Sequence, residues 1–404
     1  MKRVIVALLL VAAASIANRA QTQSVTAFEG ARVIIGDGRP PIDNATMLVT
    51  GARITQVGRA ADVKIPASAA RVSLSGKTVM PTLIDTHTHL SQDRDALVQD
   101  LRRRAYYGVS AAMSLGQDVG DVAFQVRAET IPGAARFFTA GRGITMPEPG
   151  RTTAPYWIQS AAEGRKAVQE LAAKKVDIVK IWVDDRNGQY KKLTPDLYAP
   201  IIEEAHKNKL RVTAHLFTLD DAKGLMKAGI DAFAHSVRDR DVDDEFMGMV
   251  KAKPAFVLVP NLPDRGVKTD LSWLRDSLQP AELQKLEAGN TDRPDAQAQF
   301  GIQARNLAKM SKAGVRIALG TDGNTPWAPH AEMADMVASG MTPMQVIVAA
   351  TRNGAEFLRM TDAGTIEAGK SADFIVLDAN PLDDITNTRR IASVYLRGVA
   401  VVRK

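Results

Sequence analysis

The feature that most restricts this chain is an alternation through its middle: short apolar runs ending on polar residues, each followed by a stretch with helical periodicity. A strand buried on both faces reads as a continuous apolar run, and a helix must return the chain before the next parallel strand begins. Candidate strands end at His89, Ser114, Ala140, Trp182, His215, His235, Val259 and Thr321. Eight such units are the number that closes a (β/α)8 barrel, so an α/β, TIM-like architecture is expected. Helical patterns lie between them at 161–174, 195–208, 219–228 and 299–313, and Pro343 sits early in another that runs to about Met360. Residues 260–295, rich in Pro, Asp and Leu, read as an extended, partly helical loop after the seventh strand.

Both ends have a different texture. The runs ARVIIG at 31–36, ATMLV at 45–49 and RITQV at 53–57 are short strands broken by turns. ADFIVL at 372–377, IASVYL at 391–396 and GVAVVR at 398–403 repeat that texture at the C-terminus. We therefore expect a small composite β-sandwich made of 21–79 and 363–404, around a barrel over 80–362. Residues 1–20 form a third region. A basic Met1-Lys2-Arg3, an apolar run from Val4 to Ala17 and small residues after it match a secretory signal peptide. That run is shorter than the roughly 20 residues a spanning helix needs. An exported, periplasmic or secreted protein, free of the membrane after cleavage, is the expectation.

The chain has no cysteine, which removes disulfides and thiolate metal ligands. Its formal net charge of +7 falls to +7 − 3 = +4 without Lys2, Arg3 and Arg19, and the charges are interspersed. No nucleic-acid stripe is visible, and a small molecule is the expected partner. A homo-oligomer is compatible with the sequence.

Four of the six histidines fall at predicted strand ends, the face on which such barrels carry their sites. In LIDTHTHL at 83–90, His87 and His89 are two apart on one strand, so both imidazoles point to one face and can converge on a cation. Lys180 lies in the apolar VDIVKIW at 176–182, where burial disfavours its charge. A neutral amine there can react with CO2 to give a carbamate; a lysine that snorkels or pairs with Asp184 or Asp185 is the other reading. His215 ends LRVTAH at 210–215, and His235 ends IDAFAH at 230–235. Asp322 follows the last strand in VRIALGTDG at 315–323, where it can bind metal or cap a helix. Arg142, Tyr190 and His330 lie in loops at the expected mouth and suit either substrate contact or loop packing.

These residues resemble the amidohydrolase superfamily over nearly the whole mature chain. The resemblance rests on His-x-His at strand one, lysine at four, histidines at five and six and aspartate at eight. It also rests on the segment GTIEAGKSAD at 364–373, which is typical of members with a composite β domain. VDIVKIWVDD at 176–185 looks like the binuclear, prolidase-like exported members; the single-metal imidazolonepropionase type lacks that lysine. The resemblance implies two divalent ions, zinc first among them. His87, His89 and Asp322 would hold one, His215 and His235 the other, and carbamylated Lys180 both. It further implies hydrolysis of an amide bond in a peptide-like or N-acyl amino acid substrate by a hydroxide ionised between the metals, with Asp322 moving the proton. Lactone or phosphotriester hydrolysis is the alternative chemistry, and a non-catalytic periplasmic binding protein on the same barrel is the alternative class.

Overall fold

The computed structural model of the protein describes residues 24–403, so the expected export segment lies outside the described residues. Eight short parallel strands occupy the middle of the chain: Leu83–Thr88, Val109–Ser114, Arg136–Thr139, Val179–Val183, Val212–Leu216, Ala232–Ala234, Val257–Val259 and Arg316–Ile317. We refer to them in order as barrel strands one to eight. One to three pair in sequence, and so do four to eight. Two seams complete the ring. Asp177 N–H donates to Thr139 O at 3.0 Å between strands three and four, and Thr86 N–H donates to Leu319 O at 2.9 Å between one and eight. Every residue of strands one, two, four and five is buried, which is why these runs are apolar without alternation.

The outer helices start on residues that satisfy their free N–H groups. Ser160 caps Ala161–Ala173, Thr218 caps Leu219–Lys227 and Asp243 caps Asp244–Lys251, each by accepting a hydrogen bond from a first-turn N–H. Pro195 opens Pro195–Lys207, where its missing N–H costs nothing. The helix expected from Pro343 to Met360 is instead three pieces: Pro343–Val348, a π-helical turn Ala349–Asn353, and Gly354–Phe357. Gly354 is pressed onto strand one, where a Cβ would sit 3.0 Å from the Ile84 side chain. The widened turn lets that backbone approach. Residues 260–295 hold a 3-10 turn at Ser272–Leu274 and the helix Pro280–Gly289, packed on Tyr107 through Leu274, Leu278 and Leu283.

Both chain ends meet in one mixed sheet of eight strands. Phe374–Leu377 runs antiparallel to Thr78–Pro81, with Ile375 opposite Met80 and Val376 opposite Val79. Thr78 and Val79 in turn pair with Arg32 and Val33. Where two facing sheets were expected, hydrogen bonding among the described residues joins these strands into a single sheet, with Phe28, Phe374 and Tyr395 clustered on it. Only Thr82 separates Pro81 of this sheet from Leu83 of strand one. Among the described residues no helix is long and apolar enough to cross a membrane.

Candidate metal centre

Alternation along strand one puts Asp85, His87 and His89 on the same face. His87 is 1% exposed. Its Nδ1 donates to Asn261 Oδ1 at 2.8 Å, which leaves Nε2 3.1 Å from Asp322 Oδ1. His89 Nε2 lies 3.0 Å from the same oxygen, and His235 Nε2 lies 3.4 Å from Asp322 Oδ2. One ligand atom from each of His87, His235 and Asp322 falls within 4.8 Å of the others. The His215 ring packs edge-on against His235 with centroids 4.5 Å apart, so all four strand-end histidines share one cluster with Asp322.

Several polar atoms here are buried and unpaired. His87 Nε2, both ring nitrogens of His235 and Lys180 Nζ are buried without a hydrogen-bond partner among the described residues. Burial, then the Lys180 charge, brings His87 down to about 4; burial and the Arg238 charge put His235 well below the usual imidazole range. Burial brings His215 to about 3 against the pull of its bond to Asp184. These rings are neutral near pH 7, the state in which imidazole is a ligand. Lys180 is fully buried, and desolvation lowers it to about 7, against the attraction of Asp322. Burial alone would raise Asp322, but the imidazoles of His87, His235 and His89 around it hold it well below the carboxylate range.

His215 differs from the other three. Its Nε2 is 2.8 Å from Asp184 Oδ2, and Arg186 Nη1 approaches at 3.2 Å. Arg186 also donates to Asp184 at 2.7 Å and to Glu148 at 3.2 Å, so a charged bracket surrounds this ring.

Backbone strain gathers at the same place. His235 has φ +125°, Asp322 +53° and Asn261 +44°, all in the left-handed range that side chains avoid. Such residues persist where surrounding contacts over-determine them, and they concentrate at functional sites. Gly320 serves close approach: a Cβ there would meet the His87 side chain at 2.8 Å and Asn261 Nδ2 at 2.9 Å.

Beneath the cluster is an ion pair that the sequence reading missed. Arg104, on the helix Arg94–Tyr106, donates to Asp85 Oδ2 at 2.8 Å, and both side chains are fully buried. Asp85 also accepts from Thr321 Oγ1 at 2.7 Å, and Arg104 Nη2 donates to Gly323 O at 2.9 Å. The pair therefore clamps both flanks of Asp322. The signal for Asp85 was present in its spacing from His87; nothing in the sequence pointed to Arg104.

The three loop residues are not placed as free substrate contacts. Arg142 gives its guanidinium to the carbonyls of Ala154, Thr153 and Pro155 and stacks 4.1 Å from the Tyr156 ring centroid, so its donors are spent on its own loop. Tyr190 donates its hydroxyl to Pro149 O at 3.0 Å, tying two loops together. His330 is fully buried; Nε2 donates to Tyr107 O at 2.9 Å and Nδ1 bonds Thr388 Oγ1 at 3.0 Å. Both of its ring nitrogens are thus engaged within the protein. Asn261 was also missed, although its position just past strand seven marks the mouth.

The chain is 27% identical to ochratoxinase of Aspergillus niger over 421 aligned residues, covering 89% of this chain and 82% of that one. It is 25% identical to imidazolonepropionase of Deinococcus radiodurans, covering 88% and 92%. Among solved structures, a prolidase-like protein from Bifidobacterium longum superposes with a TM-score of 0.77 at 27% identity, covering 94% and 95%. A Xaa-Pro dipeptidase with methionine in its active site superposes at 0.75 with 22% identity over 93% and 99%, and speaks for the fold. The model of the amidohydrolase family matches residues 78–401, a span running from the sheet strand before His87 almost to the C-terminus. By that match the chain belongs to the amidohydrolase family.

Proposed function

We propose that the protein is a metal-dependent hydrolase that cleaves a carbon–nitrogen bond in a small peptide-like or N-acyl amino acid substrate. One observation carries this reading: buried, unpartnered ring nitrogens of His87 and His235 face the Asp322 carboxylate, and the buried Lys180 amine is unpartnered as well. Burying such atoms without a partner costs about 1–3 kcal/mol each, which a bound cation removes. Neutral imidazoles and a carboxylate suit divalent zinc or a similar ion, so the residues fit the group. His87, His89 and Asp322 would hold one ion and His215 and His235 a second, with Lys180, carbamylated by CO2, shared between them. Bound there, divalent ions supply water ionised near neutral pH and polarise a substrate carbonyl.

The chain's own contribution is positioning and proton movement. Asp322, ionised across the neutral range, would accept a proton at a carboxylate oxygen and return it to the leaving nitrogen. Asp85 and Arg104 hold its turn, and Asn261 fixes the His87 tautomer. Ochratoxinase, imidazolonepropionase and prolidase names among the relatives support a C–N bond.

Metal analysis of the purified protein should find two ions per chain. Asp322→Asn should keep the fold and lose about 10²–10⁴-fold in turnover. A metal-free protein after reconstitution, or near-parental activity of that variant, would overturn the reading. A screen of dipeptides, N-acyl amino acids, lactones and a phosphotriester identifies the bond class.

A further inference from the structure

The structure assigns Asp184, Arg186 and Glu148 a task outside the ligand set: a carboxylate–guanidinium–carboxylate relay that presets the His215 ring for the second metal ion. The assignment rests on the metal-dependent hydrolase reading and deepens it. Asp184 directly follows strand four. Trp182 stands opposite His215 in the ladder between strands four and five, so the carboxylate two residues on arrives beside the ring. Asp184 is buried, yet it does not pair with Lys180, whose amine has no partner among the described residues.

Both Asp184 oxygens are fixed. Oδ2 lies 2.8 Å from His215 Nε2 and accepts from Arg186 Nη1 at 2.7 Å, while Oδ1 accepts the Arg186 backbone N–H at 2.9 Å. From its other side Arg186 donates through Nε to Glu148 Oε1 at 3.2 Å, and Arg151 holds the second Glu148 oxygen at 2.9 Å. Glu148 is itself buried. Arg186 and Asn187 have φ +55° and +60°, a left-handed turn that brings the guanidinium back to the residue two places before it. A pair that only closed this loop would be complete without His215. Here the oxygen shared with Arg186 is the one that faces the ring.

The contacts also fix the proton. His215 Nε2 can carry a proton for the carboxylate or a lone pair for Arg186 Nη1, which approaches at 3.2 Å. The shorter, charge-assisted bond to Asp184 decides for the proton and leaves the lone pair on Nδ1. His87 is set the opposite way, since Asn261 takes its Nδ1 proton and frees Nε2. A ring that donates to a carboxylate is oriented and made more basic as a ligand.

The test is a stepwise zinc titration of the chelator-stripped protein against a chromophoric chelator, with unfolding curves verifying each metal-free fold. The parent should bind two ions. Asp184→Ala should weaken one step by about 10–100-fold and leave the other unchanged. Asp184→Asn, whose amide oxygen still accepts from Nε2, should recover part of the loss, and Arg186→Gln should fall between Asp184→Ala and the parent. His215→Ala should weaken the same step, and adding Asp184→Ala to it should cost nothing more, because the relay acts only through that ring. With isotope-labelled histidine, the His215 signal of the zinc form should show a proton on Nε2 and metal on Nδ1. Asp184 variants that leave both steps unchanged or weaken both alike overturn the assignment. Additive losses in the double variant, or metal on Nε2, do the same. Any of these results in a parent that binds two ions leaves the hydrolase reading standing, whereas a parent that takes up no zinc overturns both.

Discussion

Asn261 acts on the centre from behind a ligand. By accepting the Nδ1 proton of His87 at 2.8 Å, its Oδ1 leaves Nε2 as the nitrogen with a free lone pair, aimed toward Asp322. Partners of this kind set both ring orientation and tautomer. Asn261→Ala should therefore lower metal affinity by about 10–100-fold while leaving the unfolding midpoint of the metal-free protein little changed. Competition with a chromophoric chelator measures the first, and unchanged affinity would show that His87 is held by packing alone. At this scale the sequence was legible where chemistry contradicts environment. Histidines at the ends of apolar runs and a lysine inside one stood out because burying them without purpose is costly. Arg142, Tyr190 and His330 were not legible, because position in a loop does not reveal whether a side chain's hydrogen bonds are already spent. Arg104 was missed for the converse reason: an arginine among many reads as surface until its partners are known.

The helix Arg94–Tyr106 shows what an element can do for a site it does not line. It carries Arg104 inward to Asp85 and to Gly323 O, so one outer helix locks the ends of strands one and eight together. Burial pushes the Asp85 carboxyl upward while the guanidinium pulls it down, so the carboxylate depends on its partner. Arg104→Met should destabilise the protein by about 3–5 kcal/mol, because it leaves a buried acid unpaired. Denaturant titration checks this, and a loss below about 1 kcal/mol would mean that Asp85 is satisfied by Thr321 alone. Strands and helices were readable from apolar runs and cap residues, with strands two and seven ending at Ser114 and Val259 as expected. The π-helical turn at 349–353 was not readable, because the residue that Gly354 meets beside it, Ile84, is far away in sequence.

For the molecule as a whole, His330 joins three distant stretches of chain: its own helix Ala328–Ala338, Tyr107 ahead of strand two, and Thr388 near the C-terminus. Burial lowers it to about 4 from the ordinary 6.5, against the pull of the Tyr107 carbonyl. The unfolded chain therefore binds a proton near pH 6.5 that the folded one refuses until about pH 4. The stabilisation is complete above pH 6.5 and lost as the pH falls to about 4, amounting to about 3 kcal/mol. Urea unfolding from pH 7 to 4.5 should show a slope that is shallower in His330→Gln than in the parent, since the other buried histidines keep their share; parallel profiles would remove His330 as a source.

The pairing of Phe374–Leu377 with Thr78–Pro81 also fixes a sequence of events in time. The strand that leads directly into the His87 and His89 segment has an early neighbour in Arg32 and Val33, but gains its second only from a stretch made after the whole barrel. A ribosome-bound chain thus holds its early histidines beside an unfinished edge until Phe374–Leu377 is made to close it. Closure is a late, long-range step, entropically slow, and removing Phe374–Leu377 would be felt first at the strand that leads into His87.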